Sequence, residues 1–348
     1  MKLYLDSGYL NIAGIRESAR SLGLPFIFIV GGRGTGKTFG ALENVYTTGE
    51  RFMFMRRTQT QLEQISRQEY SPFKAVNEYT GGNIVSAPIS KYTCGYYHAE
   101  EQENGKMAVI GAPIGYTCAL STISNLRGFD ASDVKVLIYD EFIPERHERP
   151  IKNESAALFN AYETINRNRE LKGEPPLQML CLANANDLGN NVFLDLGLVR
   201  IAENMRKKKR EVWTDPKRGI MLIILQSSPI SSRKRNTALY KLTDGTEFSE
   251  MSLDNNFADE DAATIRSMPV SEYKPICRVG EITIYRHKAK REYYVSSHHT
   301  GSPPAYGAGE IELTRFKRAF QWVWLEYLKD NIIFEEKVCE ILLTRYFD

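Results

Sequence analysis

Residues 26–45 read FIFIVGGRGTGKTFGALENV. The run FIFIV is apolar throughout and bounded by Pro25 and Gly31, the pattern of a strand buried on both faces. Residues 31–38, GGRGTGKT, satisfy G-x-x-x-x-G-K-[ST], and an amphipathic run follows. Strand, glycine-rich loop and helix in that order form a phosphate-binding loop. The chemistry explains each residue type. Gly31, Gly32, Gly34 and Gly36, with Arg33 and Thr35 between them, let backbone N–H groups turn inward around a phosphate. Lys37 supplies fixed positive charge to the β- and γ-phosphates, and the Thr38 hydroxyl is a ligand for Mg2+. The following helix aims its N-terminus at the anion.

A nucleotide hydrolase needs a second element. Residues 134–142, VKVLIYDEF, form another apolar strand ending in Asp140 and Glu141. This is a Walker B arrangement, in which Asp140 holds Mg2+ through water and Glu141 polarises the attacking water. The chain shows no guanine-reading N-K-x-D motif, so ATP is the expected nucleotide. Phosphoryl transfer also calls for added positive charge on the transition state. Arg167 and Arg169 in INRNRE, and Arg33 inside the loop, are the candidates. Asn184 closes the apolar run LQMLCLANAN. It therefore falls where ligands bind in open α/β sheets, and is a candidate γ-phosphate sensor.

RFMFMRR (51–57), LQMLCLANAND and GIMLIILQSS supply further buried strands, and helical segments alternate with them. The expected fold is α/β, a P-loop NTPase with a mostly parallel sheet covered on both faces, spanning 1–228. Residues 229–256 are polar and turn-rich and read as a linker subdomain. From 257 the pattern changes to a half-exposed hairpin, GEITIYRHKAKREYYVSS, and helical material, a smaller α+β domain of 257–348. Two helical details are also expected: a short amphipathic helix over 12–22, and Asn153 as N-cap of the helix before Arg167.

Composition narrows the class. The 348 residues carry a formal net charge of only +2, so nucleic-acid contact must come from local patches. The five cysteines form no C-x-x-C pair and signal neither a zinc site nor a disulfide framework. The beginning of the chain lacks a secretory pattern, and no apolar run approaches bilayer length. A soluble intracellular protein with no membrane partner is expected. Between Glu203 and Lys241, eleven Lys or Arg face three acids, with RKKKR at 206–210. That run is either a solvated face or a surface that tracks phosphates without reading bases.

The succession VGGRGTGKT, MRRTQTQLEQIS, NLRGFDASDVKVLIYDEF and CLANAN resembles the large terminase subunits, the DNA-packaging ATPases of tailed phages. YDEFIPE, RNRE, LCLANAN and LTDGTEFSEMSLDNNF are similar to one branch, the compact packaging ATPases of small podophages with protein-primed genomes. The resemblance runs from about 26 to 257. It implies an ASCE-type ATPase domain, a short linker domain and a C-terminal domain resembling a vestigial RNase H-like nuclease. It implies a homopentameric ring at the portal of a procapsid, acting on double-stranded DNA and docking on a structural RNA there.

By position, the same resemblance makes Arg167 a trans-acting arginine finger, Arg127 a residue of nucleotide sensing or exchange, and Arg56 and Arg57 the basic residues of a DNA-gripping loop. In the family-based reading the function is ATP-driven DNA translocation. A terminase with an active C-terminal nuclease and a non-hydrolysing P-loop protein are the alternatives. The hairpin EITIYRHKAKREYYV has no Asp within its apolar run, although Glu272, Glu281, Glu310 and Glu312 lie nearby.

Overall fold

In the computed structural model, the described residues are all of 1–348 except 104, 127, 145–147, 149–150, 185–187, 247–248, 250–263 and 348. The chain divides into two compact units: Met1–Asp187 with Asn204–Phe257, and Leu188–Glu203 with Ala258–Asp348.

The first unit is built on nine strands: β1 (Phe26–Gly31), β2 (Phe52–Arg56), β3 (Ile84–Ser90), β4 (Thr93–Glu101), β5 (Met107–Ala119), β6 (Val136–Asp140), β7 (Gln178–Asn184), β8 (Val212–Asp215) and β9 (Ile220–Ile224). Their order is β3-β4-β5-β2-β6-β7-β1-β9-β8. From β5 to β9 every neighbouring pair is parallel. β3, β4 and β8 add antiparallel edges. β7 lies between β1 and β6, so one strand separates the phosphate-loop strand from the strand carrying Asp140.

The helices are α1 (Ile12–Ser21), α2 (Lys37–Thr48), α3 (Gln59–Ile65), α4 (Phe73–Thr80), α5 (Glu154–Asn166), α6 (Asn191–Asp195), α7 (Val199–Lys207), α8 (Pro229–Arg235) and α9 (Ala238–Leu242). Alternate strand residues serve the two faces. Ile27 and Ile29, Phe52 and Phe54, Val136 and Ile138, and Leu180 and Leu182 share one core with Ile15 of α1, Leu42 of α2 and Phe73 of α4. α5 meets the sheet through the Phe26–Tyr162 ring pair, 5.0 Å between centroids, and the Tyr139 hydroxyl donating to Glu154 at 3.3 Å. Burial on both faces explains why the parallel strands lack polar alternation.

Some sequence expectations shift. β5 is a 13-residue strand that pairs with β4 along most of its length, while its last residues also pair in parallel with β2. β8 is an antiparallel edge strand that the apolar pattern does not mark. Asn153 occupies the N-cap of α5 with φ 54° and no side-chain capping bond. The described part of the polar segment 229–256 clusters with the first unit, and 188–203 cluster with the second.

The second unit holds a five-stranded sheet of β10 (Tyr273–Val279), β11 (Ile282–His287), β12 (Tyr293–Ser296), β13 (Ala305–Tyr306) and β14 (Ile332–Phe334). Its order is β13-β10-β11-β12-β14. The helices Glu310–Tyr327 and Lys337–Phe347 pack on it through Phe316, Val323, Leu343 and Tyr346. Arg345 pairs with Asp195 of α6 at 2.6 Å, an ion pair within this unit. Among the described residues no helix is long and apolar enough to cross a membrane.

Candidate nucleotide site

The parallel strands deliver their last residues to one edge. Gly31 of β1 stands opposite Asn184 of β7, and Asp140 ends β6 beside Leu182. Arg56 ends β2 one step beyond the Met55–Tyr139 pair. Side chains far apart in sequence thus meet where the phosphate loop turns into α2. Gly34 and Gly36 adopt φ of 67° and 87°, the left-handed conformation that glycine tolerates without a steric cost.

Amides that turn inward leave carbonyls facing outward, and those need donors. Lys37 Nζ donates to Gly31 O at 2.9 Å and Gly32 O at 2.8 Å. Leu10 N–H donates to Thr35 O at 2.9 Å and Gly40 N–H to Gly36 O at 2.8 Å. Lys37 Nζ also reaches Asn184 Oδ1 at 3.3 Å, so Asn184 touches the residue that would carry the phosphates. Burial holds the Lys37 ammonium down at about 8; Asp140 opposes the shift, and Lys234 adds to it.

The Thr38 hydroxyl donates to Asp140 Oδ1 at 2.9 Å, with Oδ2 at 3.1 Å. Burial raises the pKa of Asp140 against the pull of Arg56, Thr38 and Lys37. A hydroxyl and a carboxylate facing each other beside the loop are the oxygen donors that Mg2+ takes, completed by phosphate and water. A phosphate-loop Mg2+ of this kind needs no cluster of protein carboxylates. Among the described residues there is no group of three or more His, Cys, Asp or Glu that could hold a metal. A cleft of about 210 Å³ opens over the loop, lined by Lys37, Thr38, Asp140, Glu141 and Asn184 among others.

Glu141 has φ 56°. A non-glycine residue in this region carries strain, of order 1–3 kcal/mol, that its surroundings must hold in place. Its carboxylate pairs with Arg56, Nη2 to Oε2 at 3.0 Å, while Arg56 Nη1 meets Asp140 Oδ2 at 2.8 Å. Arg56 Nε is buried without a hydrogen-bond partner.

Arg56 and Arg57, the candidates for a DNA-gripping loop, both sit in ion pairs within the first unit. Arg56 belongs to the acid pair of the nucleotide site. Arg57 is 0% exposed and is held by Glu154 of α5 at 2.7 Å and Glu148 at 3.1 Å. The signal for Arg56 was its place as the last residue of a parallel strand.

Arg167 is the C-cap of α5, with φ 49°. Its guanidinium donates to Phe129 O at 2.8 Å and Asp130 Oδ1 at 3.1 Å, and its side chain is 39% exposed. It is not among the residues lining the cleft. Arg169 is buried and donates to Ser132 O at 2.8 Å, a structural brace. Arg33 is exposed. Arg127 lies outside the described residues. Lys207, Lys208, Lys209 and Arg210 of the basic run are exposed.

Residues 19–272 match the family described as Podovirus DNA encapsidation protein (Gp16). The chain belongs to that family. It is 30% identical over 236 residues to the DNA packaging proteins of Bacillus phages phi29 and PZA, an alignment covering 66% of this chain and 61% of each relative. It is 28% identical over 238 residues to the DNA packaging protein of Bacillus phage B103, covering 67% of this chain and 64% of that one. The match therefore spans about three fifths of the length of these encapsidation relatives.

Two solved structures share the fold. The bacteriophage Phi-29 viral genome packaging motor assembly aligns with TM-score 0.63 and 21% identity, covering 99% of both chains. The Phi-28 DNA packaging motor aligns with TM-score 0.60 and 18% identity, covering 92% of this chain and 93% of that one.

Proposed function

We propose that the protein is a packaging ATPase that hydrolyses ATP to move double-stranded DNA into a phage procapsid. The observation that carries this reading is the convergence of Lys37, Thr38, Asp140, Glu141 and Asn184 on one cleft in a chain of the encapsidation family.

ATP is the substrate, and the loop amides with Lys37 hold its phosphates. Thr38 and Asp140 would hold Mg2+, which when bound neutralises phosphate charge. Glu141 accepts the proton of the attacking water once its carboxylate leaves Arg56. Asn184 touches Lys37 and senses whether the γ-phosphate is present. A second positive charge on the transition state comes from Arg167 of a neighbouring copy, because Arg167 lies half exposed at a helix end and does not line its own cleft.

The finer parts of the reading are a homopentameric ring at the portal and a structural RNA as docking partner. What supports them is the family and the resemblance of residues 26–257 to its small-podophage branch. Residues 257–348 are proposed to dock on nucleic acid or the portal without cutting. The support is that β10, β11 and β12 carry no Asp or Glu, while the β11–β12 turn carries Lys288, Lys290 and Arg291.

The test is ATP turnover with and without DNA and procapsids. Turnover should rise when both are added and should vanish in Lys37→Ala. A rate indifferent to DNA and procapsids would refute the motor reading.

A further inference from the structure

We infer that Lys234, on α8, is a positioning residue of the phosphate loop: its ammonium braces the Arg33 carbonyl from outside and keeps the loop's amides turned toward the nucleotide. The inference rests on reading residues 31–38 as a nucleotide site.

The loop's outward carbonyls set the problem. Those of Gly31 and Gly32 are met by Lys37, that of Thr35 by Leu10 N–H, and that of Gly36 by α2 itself. The carbonyl of Arg33 sits at the crown of the loop and receives Lys234 Nζ, some two hundred residues away in sequence. Contact is tight: a Cβ added at Gly34 would run into the Lys234 ammonium and come within 2.9 Å of its Cε. Gly34 is required for its positive φ, and a side chain there would displace the Lys234 ammonium from the Arg33 carbonyl.

The ammonium stays in place because α8 is anchored. Ile230 and Ser231 are buried. Gly8, with φ +88°, lets Pro229 and Ile230 approach to where a Cβ would stand 3.3 Å from each. The same N-terminal turn leads into Leu10, which holds Thr35 O. The Tyr240 ring of α9 lies with its centroid 6.0 Å from Lys234 Nζ, a cation–π approach that orients the side chain. α8 and the N-terminal turn thus clasp the loop from outside.

A hydrogen bond from a charged donor contributes more than a neutral one. Its loss would let the Arg33–Gly34 peptide rotate and aim amides away from the phosphates. Lys234→Met should therefore weaken binding of fluorescent ADP and of ATP by the same factor, about tenfold, which corresponds to ~1.4 kcal/mol. In steady state KM for ATP should rise far more than kcat falls. Lys234→Arg keeps a charged donor and should recover most of the affinity. Amide hydrogen exchange at 33–36 should quicken in Lys234→Met, with the thermal midpoint of the chain unmoved.

Lys37→Ala is measured beside these variants. If it loses binding while Lys234→Met keeps wild-type affinity for both nucleotides, the bracing role is wrong and the site reading stands. A loss confined to ATP would overturn bracing in favour of a γ-phosphate contact. Undiminished binding by Lys37→Ala would overturn the site reading itself and the role of Lys234 with it.

Discussion

Arg56 and Glu141 form an ion pair, Nη2 to Oε2 at 3.0 Å, and the other terminal nitrogen of the same guanidinium holds Asp140 at 2.8 Å. One arginine therefore restrains both acids of the site. A carboxylate engaged by a guanidinium is a poor acceptor for a water proton, so the pair opposes turnover until it opens. Replacing Arg56 with glutamine should raise ATP hydrolysis in the absence of DNA and largely abolish stimulation by DNA. It should also lower the Mg2+ concentration needed for half-maximal rate, since no guanidinium then competes with the metal for Asp140 Oδ2. ATPase assays at graded Mg2+, with and without DNA, check both effects. Unaltered stimulation would show that the pair has no restraining role.

Glu141→Gln isolates the proton acceptor. The carboxamide keeps the size and the positive-φ backbone but accepts a proton poorly. Turnover should drop by ~10²–10⁴, while ATP and ADP remain bound with near wild-type affinity. Fluorescent-nucleotide titration alongside single-turnover hydrolysis separates binding from chemistry. Wild-type hydrolysis by this variant would remove Glu141 from the role.

Arg57 and Glu154 make a buried ion pair linking the end of β2 to the first turn of α5, with Nε to Oε1 at 2.7 Å. Removing one partner leaves the other charge unpaired and buried, at a cost of about 3–5 kcal/mol. Arg57→Ala should therefore lower the urea midpoint substantially, and Arg57→Ala with Glu154→Ala should be less destabilised than the two single losses summed. A DNA-gripping arginine would do the reverse, leaving stability intact and lowering DNA affinity. Equilibrium unfolding and DNA-binding titrations on the same samples distinguish the two.

What was legible follows from where the information resides. The phosphate loop and the β6 acids announce themselves because each is a local pattern, an apolar strand followed at once by its candidate residues. The roles of Arg56 and Arg57 are not local. Two adjacent arginines after a strand look alike in sequence, and their partners lie on β6, in the loop that follows it and on α5, more than eighty residues away. The assignment of 188–203 to the C-terminal unit is hidden for the same reason: Asp195 meets Arg345 at 2.6 Å. β8, an edge strand of four half-buried residues, carries too little apolar pattern to register. In the sequence Lys234 is one of eleven basic residues between Glu203 and Lys241, and only α8 brings it to the crown of the loop.

Arg167 decides between a ring motor and a self-contained ATPase. Its place at the end of α5, half exposed and held by Phe129 O and Asp130, suits a side chain offered to a neighbour. An arginine finger is worth about 10³–10⁵ in rate in P-loop enzymes, so Arg167→Ala should nearly silence hydrolysis while nucleotide binding persists. Arg167→Lys should fail too, because lysine lacks the planar fork that meets two oxygens. Mixing an Arg167→Ala subunit with a Lys37→Ala subunit gives the sharper measurement. The first has a working cleft and no finger; the second has a finger and a cleft that cannot hold ATP. Where a Lys37→Ala subunit presents Arg167 to the cleft of an Arg167→Ala subunit, hydrolysis should return, with a maximum at intermediate mixing ratios. If mixed assemblies form, as native mass spectrometry can establish, and no ratio restores turnover, Arg167 does not act across the interface. Exposed Arg33, in the loop itself, would then be the arginine to test, since Arg169 is committed to the Ser132 carbonyl.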